Sequence, residues 1–151
     1  MIIGIDPGNT GAIAFLTDDF AFIGVHDMPL MANGKKQQVN AVELSKVIAM
    51  PLEDTHIIIE KVGAMPGQGV SSMFNFGMGY GVIQGVAAAM RIPYTLCTPQ
   101  QWKKAAGLIG KDKDNARTLA QQLYPEASLA RKKDIGRADA ILIARYGKKA
   151  D

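Results

Sequence analysis

Met1–Leu16, MIIGIDPGNTGAIAFL, decides how the rest of the chain is read. A run of β-formers stops on one carboxylate, Asp6, turns through Pro7, Gly8 and Gly11, and becomes apolar again. A carboxylate at a strand end, backed by a glycine-bearing turn, can hold a divalent metal ion or stand beside a nucleotide phosphate. Two short apolar runs joined by so short a link predict antiparallel neighbours.

Outward from this turn, Thr17-Asp18-Asp19 is a tight connection into a third strand over residues 20–28, which completes an antiparallel meander. Residues 29–38, PLMANGKKQQ, read as a polar loop. Residues 39–50 form an amphipathic helix with Asn40 as N-cap and Pro51 just past its end. THIIIE, residues 55–60, is a strand apolar throughout and hence buried on both faces, and like the first it ends on an acid, Glu60.

A glycine-rich loop follows, then a helix from Ser72 to Met90. Gly77, Gly81 and Gly85 fall on one stripe of that helix and permit close approach to the sheet or to another helix. Residues 93–97 are a fifth strand. Thr98 caps the next helix with Pro99 at its first position. A basic loop at residues 109–115, a helix over 116–124 closed by Pro125, and a last helix over 137–147 complete the order. The pattern predicts an α/β fold with a mixed five-stranded sheet flanked by helices.

A chain of 151 residues is expected to be one domain, residues 1–151, that buries roughly two-thirds of its unfolded surface. One cysteine, Cys97, excludes an internal disulfide, and there is no Cys/His cluster for zinc. No apolar stretch approaches the ~20 residues of a membrane span, and the opening does not resemble a signal peptide, so a cytoplasmic location is expected. Net charge is +3, unevenly spread: residues 1–101 carry five Lys/Arg against eight Asp/Glu, and residues 102–149 carry twelve against five. An acidic half beside a basic half suits metal-binding carboxylates facing a polyanion, although a solvated lysine-rich helical face gives the same totals.

Three carboxylates stand out by position. Asp6 and Glu60 end two strands, and Asp139 lies at the start of the last helix between Ala138 and Ala140. If those strands are parallel neighbours and the helix crosses their edge, the three acids meet and need cations to offset their repulsion. Oxygen-only ligation suits Mg²⁺ or Mn²⁺, and two such ions ~3.5–4 Å apart support phosphodiester hydrolysis. Singly, each acid has a plainer reading as a turn-former, an exposed strand end or a helix-terminal charge.

GIDPGNTGAIAF, IIIEKVGAMPGQGVSSMFNFGMGYGVIQGV and GRADAILIARYG, in that order, resemble the RuvC-type Holliday junction resolvases of the RNase H-like superfamily, above all the compact bacteriophage versions. The resemblance implies an RNase H-like fold and a homodimeric, structure-selective endonuclease that resolves four-way junctions in DNA recombination and repair, in a bacterial or phage-infected cell. It implies Asp6, Glu60 and Asp139 as ligands of two Mg²⁺ or Mn²⁺ ions. A fourth acidic or histidine ligand of that family falls on Gly136, and Asp134 is the nearest carboxylate. Phe74 is then the wedge against bases, with Phe76 second. Lys103, Lys104, Lys111, Lys113, Arg117 and Arg137 become phosphate contacts, and Lys132 and Lys133 can join them. Trp102 reads as a core anchor, and His26 and His56 lie away from the acidic edge.

Two other readings stay open. The opening turn also fits the phosphate cradle of actin-like and sugar-kinase ATPases, which need a second comparable domain that 151 residues do not supply. A protein that binds branched DNA without cutting it fits the basic half and the missing fourth ligand. Flaps or RNA–DNA hybrids would use the same metal chemistry as junctions.

Overall fold

The computed structural model describes residues 1–49 and 54–147. In chain order the elements are β1 (Ile2–Asp6), β2 (Ala12–Leu16), β3 (Phe22–Asp27), β4 (Leu30–Asn33), β5 (Lys36–Val39), α1 (Ala41–Ile48), β6 (His56–Glu60), α2 (Val70–Ala89), β7 (Tyr94–Cys97), α3 (Pro99–Ala106), α4 (Lys113–Leu123) and α5 (Ile135–Tyr146). The main sheet runs β3-β2-β1-β6-β7. β1, β2 and β3 pair antiparallel, while β6 is parallel to both β1 and β7. The expected mixed five-stranded α/β sheet is what forms.

Its two faces divide by strand alternation. Ile3, Ile5, Ile57 and Ile59 pack with Leu44 and Ile48 of α1 and with Ile83 and Ala87 of α2. Ile2, Ile58, Ala12, Ala14 and Leu16 pack with Trp102 of α3, Ala116 and Ala120 of α4, and the alanines of α5. Because β1 and β6 are covered on both faces, they read as continuous apolar runs. α5 lies directly on β1 at Gly4, where an added Cβ would stand 2.2 Å from the Ala140 carbonyl oxygen and 2.5 Å from the Ala144 nitrogen. Only a residue with no side chain lets this helix come so close.

Local signals account for most boundaries. The Asn40 side chain accepts from the Glu43 amide, and Thr98 with Gln101 forms a capping box behind Pro99. The Pro51 stop lies outside the described residues. β3 begins two residues later than expected because Phe20, at φ 67°, closes the turn that starts at Thr17. α4 begins at Lys113, inside the expected basic loop, because Asp112 caps it by accepting from the Asp114 and Asn115 amides. α5 begins at Ile135, after a short 3-10 turn at Lys132–Asp134, so Asp139 stands in its second turn and not its first.

The polar loop expected at residues 29–38 is corrected to a β-hairpin. Leu30 pairs with Val39 and Asn33 with Lys36, around Gly34 at φ 62°. Its strands, LMAN and KQQV, are mostly exposed and do not alternate apolar with polar, so the period that marks a strand is missing. Gly34, the first residue of the two-residue Gly34-Lys35 turn, is the signal that reveals it.

Candidate metal centre

Two parallel strands in register bring the first two acids together. Ile5 pairs with Ile59, so Asp6 and Glu60 end β1 and β6 side by side. Both have the same parity as Ile2 and Ile58, hence both point to the face covered by α5. Gly8, at φ 111°, turns the chain so that β2 returns with Ala12 opposite Asp6, leaving the carboxylate at the sheet end. α5, seated on Gly4, carries Asp139 to the same place.

The electrostatics follow from that gathering. Burial pushes the Asp6 carboxyl well above its ordinary range, and the charges of Asp139 and Glu60 push it further. Burial, then the Glu60 charge, raises Asp139 to about 7. Burial also raises Glu60, opposed by a hydrogen bond that the Trp102 indole donates to its Oε2 at 2.7 Å. Lys103 acts against all three shifts, and Lys113 against those of Asp6 and Asp139. Lys103 comes from α3, with its Nζ 5.5 Å from the Trp102 ring centroid, and Lys113 opens α4.

As the side chains stand, no group of three or more His, Cys, Asp or Glu among the described residues is set to hold a metal ion. The chemistry of the donors still fits a hard cation. Three oxygen-bearing side chains are partly buried, repel one another and lack full compensation from the two lysines, so a divalent ion would relieve the excess negative charge.

Asp134 does not join them. It is buried under Arg131, whose Nη2 donates to it at 2.8 Å, and Arg137 stands 3.7 Å away. Five residues from Asp139 is about 140° around a helix, so the two carboxylates face different sides. Gly136 has no space for a ligand either, since an added Cβ would stand 2.2 Å from the Thr10 carbonyl oxygen.

Among solved structures, Thermus thermophilus RuvC superimposes with a TM-score of 0.58 at 18% identity, over 95% of this chain and 90% of that one. T. thermophilus RuvC in complex with its Holliday junction substrate gives 0.59 at 15% identity, over 95% and 89%. The chain has the RuvC fold. No family model and no curated protein matches its sequence.

On this RuvC fold the residues singled out in the sequence separate into groups. Lys103 and Lys113 act on the carboxylates, whereas Lys104 and Lys111 are exposed and exert no resolved effect on them. Arg117 binds Asp114 at 2.8 Å and donates to the Leu129 and Ala130 carbonyls. Arg137 binds Asp27 at 2.7 Å and donates to the Ser128 carbonyl. Both arginines tie the approach to α5 in place, and neither is a free cation. Phe74 is 74% exposed on α2, whereas Phe76 lies against Gly8 of the opening turn. Trp102 is buried as expected, but its hydrogen bond to Glu60 was not read from the sequence, which offers no signal for a contact 42 residues away. His26 packs edge-on to Phe15, and His56 bonds Thr95.

Proposed function

We propose that this chain is a divalent-metal-dependent endonuclease that binds branched DNA as a homodimer and resolves four-way junctions by paired nicks. The observation that carries the reading is the convergence of Asp6, Glu60 and Asp139 on one sheet end, flanked by Lys103 and Lys113. The fold shared with T. thermophilus RuvC, a protein solved with a Holliday junction substrate, supports it.

In this reading Asp6, Glu60 and Asp139 hold two Mg²⁺ or Mn²⁺ ions. When bound, such ions activate a water and stabilise the leaving oxygen of a phosphodiester. The chain itself supplies position and charge. Lys103 and Lys113 attract the scissile phosphate and offset charge developing on it. Trp102 fixes the orientation of Glu60 through the indole N–H. Phe74 wedges a base step at the junction centre, and the loop between β6 and α2 follows it into the DNA. Asp134, Arg117 and Arg137 take no part, being committed to the pairs described above.

Trp102→Phe keeps an aromatic anchor in the core, removes the indole donor and leaves a small void where the larger ring sat. It is expected to raise the Mg²⁺ concentration for half-maximal cutting by about 10–100-fold, with junction affinity in chelator unchanged. A metal titration checks this, and an unshifted midpoint means that Glu60 needs no such support.

The homodimer reading rests on the outer face of α2. An added Cβ at Gly77, Gly81 or Gly85 would meet nothing within 4 Å, so the glycine stripe faces away from the sheet. Val70, 89% exposed, extends that stripe toward the N-terminus of α2. A second copy of α2 could approach there at close range. Gly81→Arg leaves the fold room for its side chain and is expected to shift the protein from dimer to monomer in sedimentation, with loss of paired cutting.

The test of function is incubation with a four-way junction and a matched linear duplex, in Mg²⁺, in Mn²⁺ and in chelator. Metal-dependent cutting of the junction alone supports a resolvase. Tight junction binding without cutting in either metal supports the binding protein instead, and makes the missing ligand at Gly136 the loss that matters.

A further inference from the structure

The β4–β5 hairpin makes a second basic surface, separate from Lys103 and Lys113. It stands off the main sheet as its own two-stranded unit. Asn9 of the opening turn and Asn75 of α2 both donate to the Gln37 carbonyl, each at 2.9 Å. Lys36 Nζ donates to Ser71 Oγ at 2.5 Å. The hairpin is therefore fastened to the turn that follows Asp6 and to the first turns of α2. A groove of about 740 Å³ lies between them. Lys35 and Lys36 line it, with amides from Asn9 and Gln68 and apolar surface from Met65 and Phe76, and no acidic side chain contributes.

We propose that this groove holds the backbone of one DNA strand on its way to the Asp6 cleft, with Lys35 and Lys36 on its phosphates. The inference rests on the nucleic-acid reading above. Two cations with no acid match a phosphodiester chain, and side-chain amides can donate to its oxygens. Met65 and Phe76 offer apolar surface to the faces of bases, which a strand held by its phosphates turns toward the wall. The hairpin's attachment through Asn9 fixes the position of that strand relative to Asp6.

The experiment titrates wild type, Lys35→Gln and the double variant Lys35→Gln/Lys36→Gln with a labelled four-way junction in chelator, from about 50 to about 200 mM salt. The double variant is expected to bind roughly tenfold more weakly near 0.1 M salt, with the slope of log affinity against log salt smaller by about two. Lys35→Gln changes an exposed residue of the hairpin turn and should lower the slope by about one while melting like wild type. Lys46→Gln, on α1 and paired with Glu43, serves as the charge control and should change neither. If wild type binds the junction and both hairpin variants match it in affinity and slope, the groove holds no strand and the proposed function still stands. If wild type binds no branched DNA, both fall.

Discussion

Asp139→Asn is expected to abolish metal-dependent cutting of a four-way junction, by roughly 10³-fold or more, and to leave junction affinity in chelator within a few-fold of wild type. Asp6→Asn and Glu60→Gln should do the same, because each removes one charged oxygen donor from the same cleft. The same changes carry an opposite effect on stability. Asp139 is raised from its ordinary 3.8 to about 7 by burial and by Glu60, so the folded, metal-free protein binds a proton that the unfolded chain releases. Its stability therefore falls as pH rises from about 4 through 7, and stays reduced above that. Asn at this position removes the penalty and should stabilise the metal-free protein at pH 8 by on the order of 1–2 kcal/mol, a gain of about 2–4 °C per kcal/mol in melting temperature. Thermal melts of both proteins at pH 5 and pH 8 check the sign. A variant less stable than wild type at pH 8 would contradict the crowding of charge at this site.

Gly136→Asp, which would place a carboxylate at the position the sequence resemblance marks for a fourth ligand, is expected to unfold the protein and not to speed cutting. The new Cβ would stand 2.2 Å from the Thr10 carbonyl oxygen, 3.2 Å from its carbon and 3.3 Å from the Gly11 Cα. All three are backbone atoms of the turn between Asp6 and β2, so relief would have to move that turn or lift α5 from Gly4. The cost is about 3 kcal/mol or more. Gly136→Ala should already show most of it, since the clash begins at Cβ. Circular dichroism melts of both variants are the check. An Asp variant that melts like wild type and cuts faster would mean that the helix and turn are farther apart than described.

The parts of the molecule legible in the sequence are those where a residue's own chemistry sets its place. Ile57–Ile59 read as a doubly covered strand, and the acid that follows them lies at the end of the sheet. Thr98-Pro99 announced α3 through capping alone. Asp6, Glu60 and Asp139 stand out by position on their elements, and the structure brings them within reach of one another's charge. What escaped depends on contacts between distant segments. Trp102 was read as an anchor from its type, but which carboxylate its N–H would meet depends on α3 packing beside β6. Arg117 and Arg137 look like free cations in sequence, and only the fold brings Asp27 and the carbonyls of residues 128–130 to them. Asp134 likewise looked available until Arg131 enclosed it. The β4–β5 hairpin escapes for another reason: its exposed strands do not alternate apolar with polar, and Gly34 alone marks its turn.

The measurement that tests the central claim most directly is single-turnover cutting of a four-way junction labelled on each strand in turn, by wild type and Asp6→Asn, with Mg²⁺ and with chelator. The predicted result is a pair of symmetrically related nicks made by wild type only with Mg²⁺, absent with Asp6→Asn and absent on linear duplex. Cutting by Asp6→Asn at the wild-type rate, or cutting in chelator, would contradict the assignment of Asp6, Glu60 and Asp139 as the metal centre.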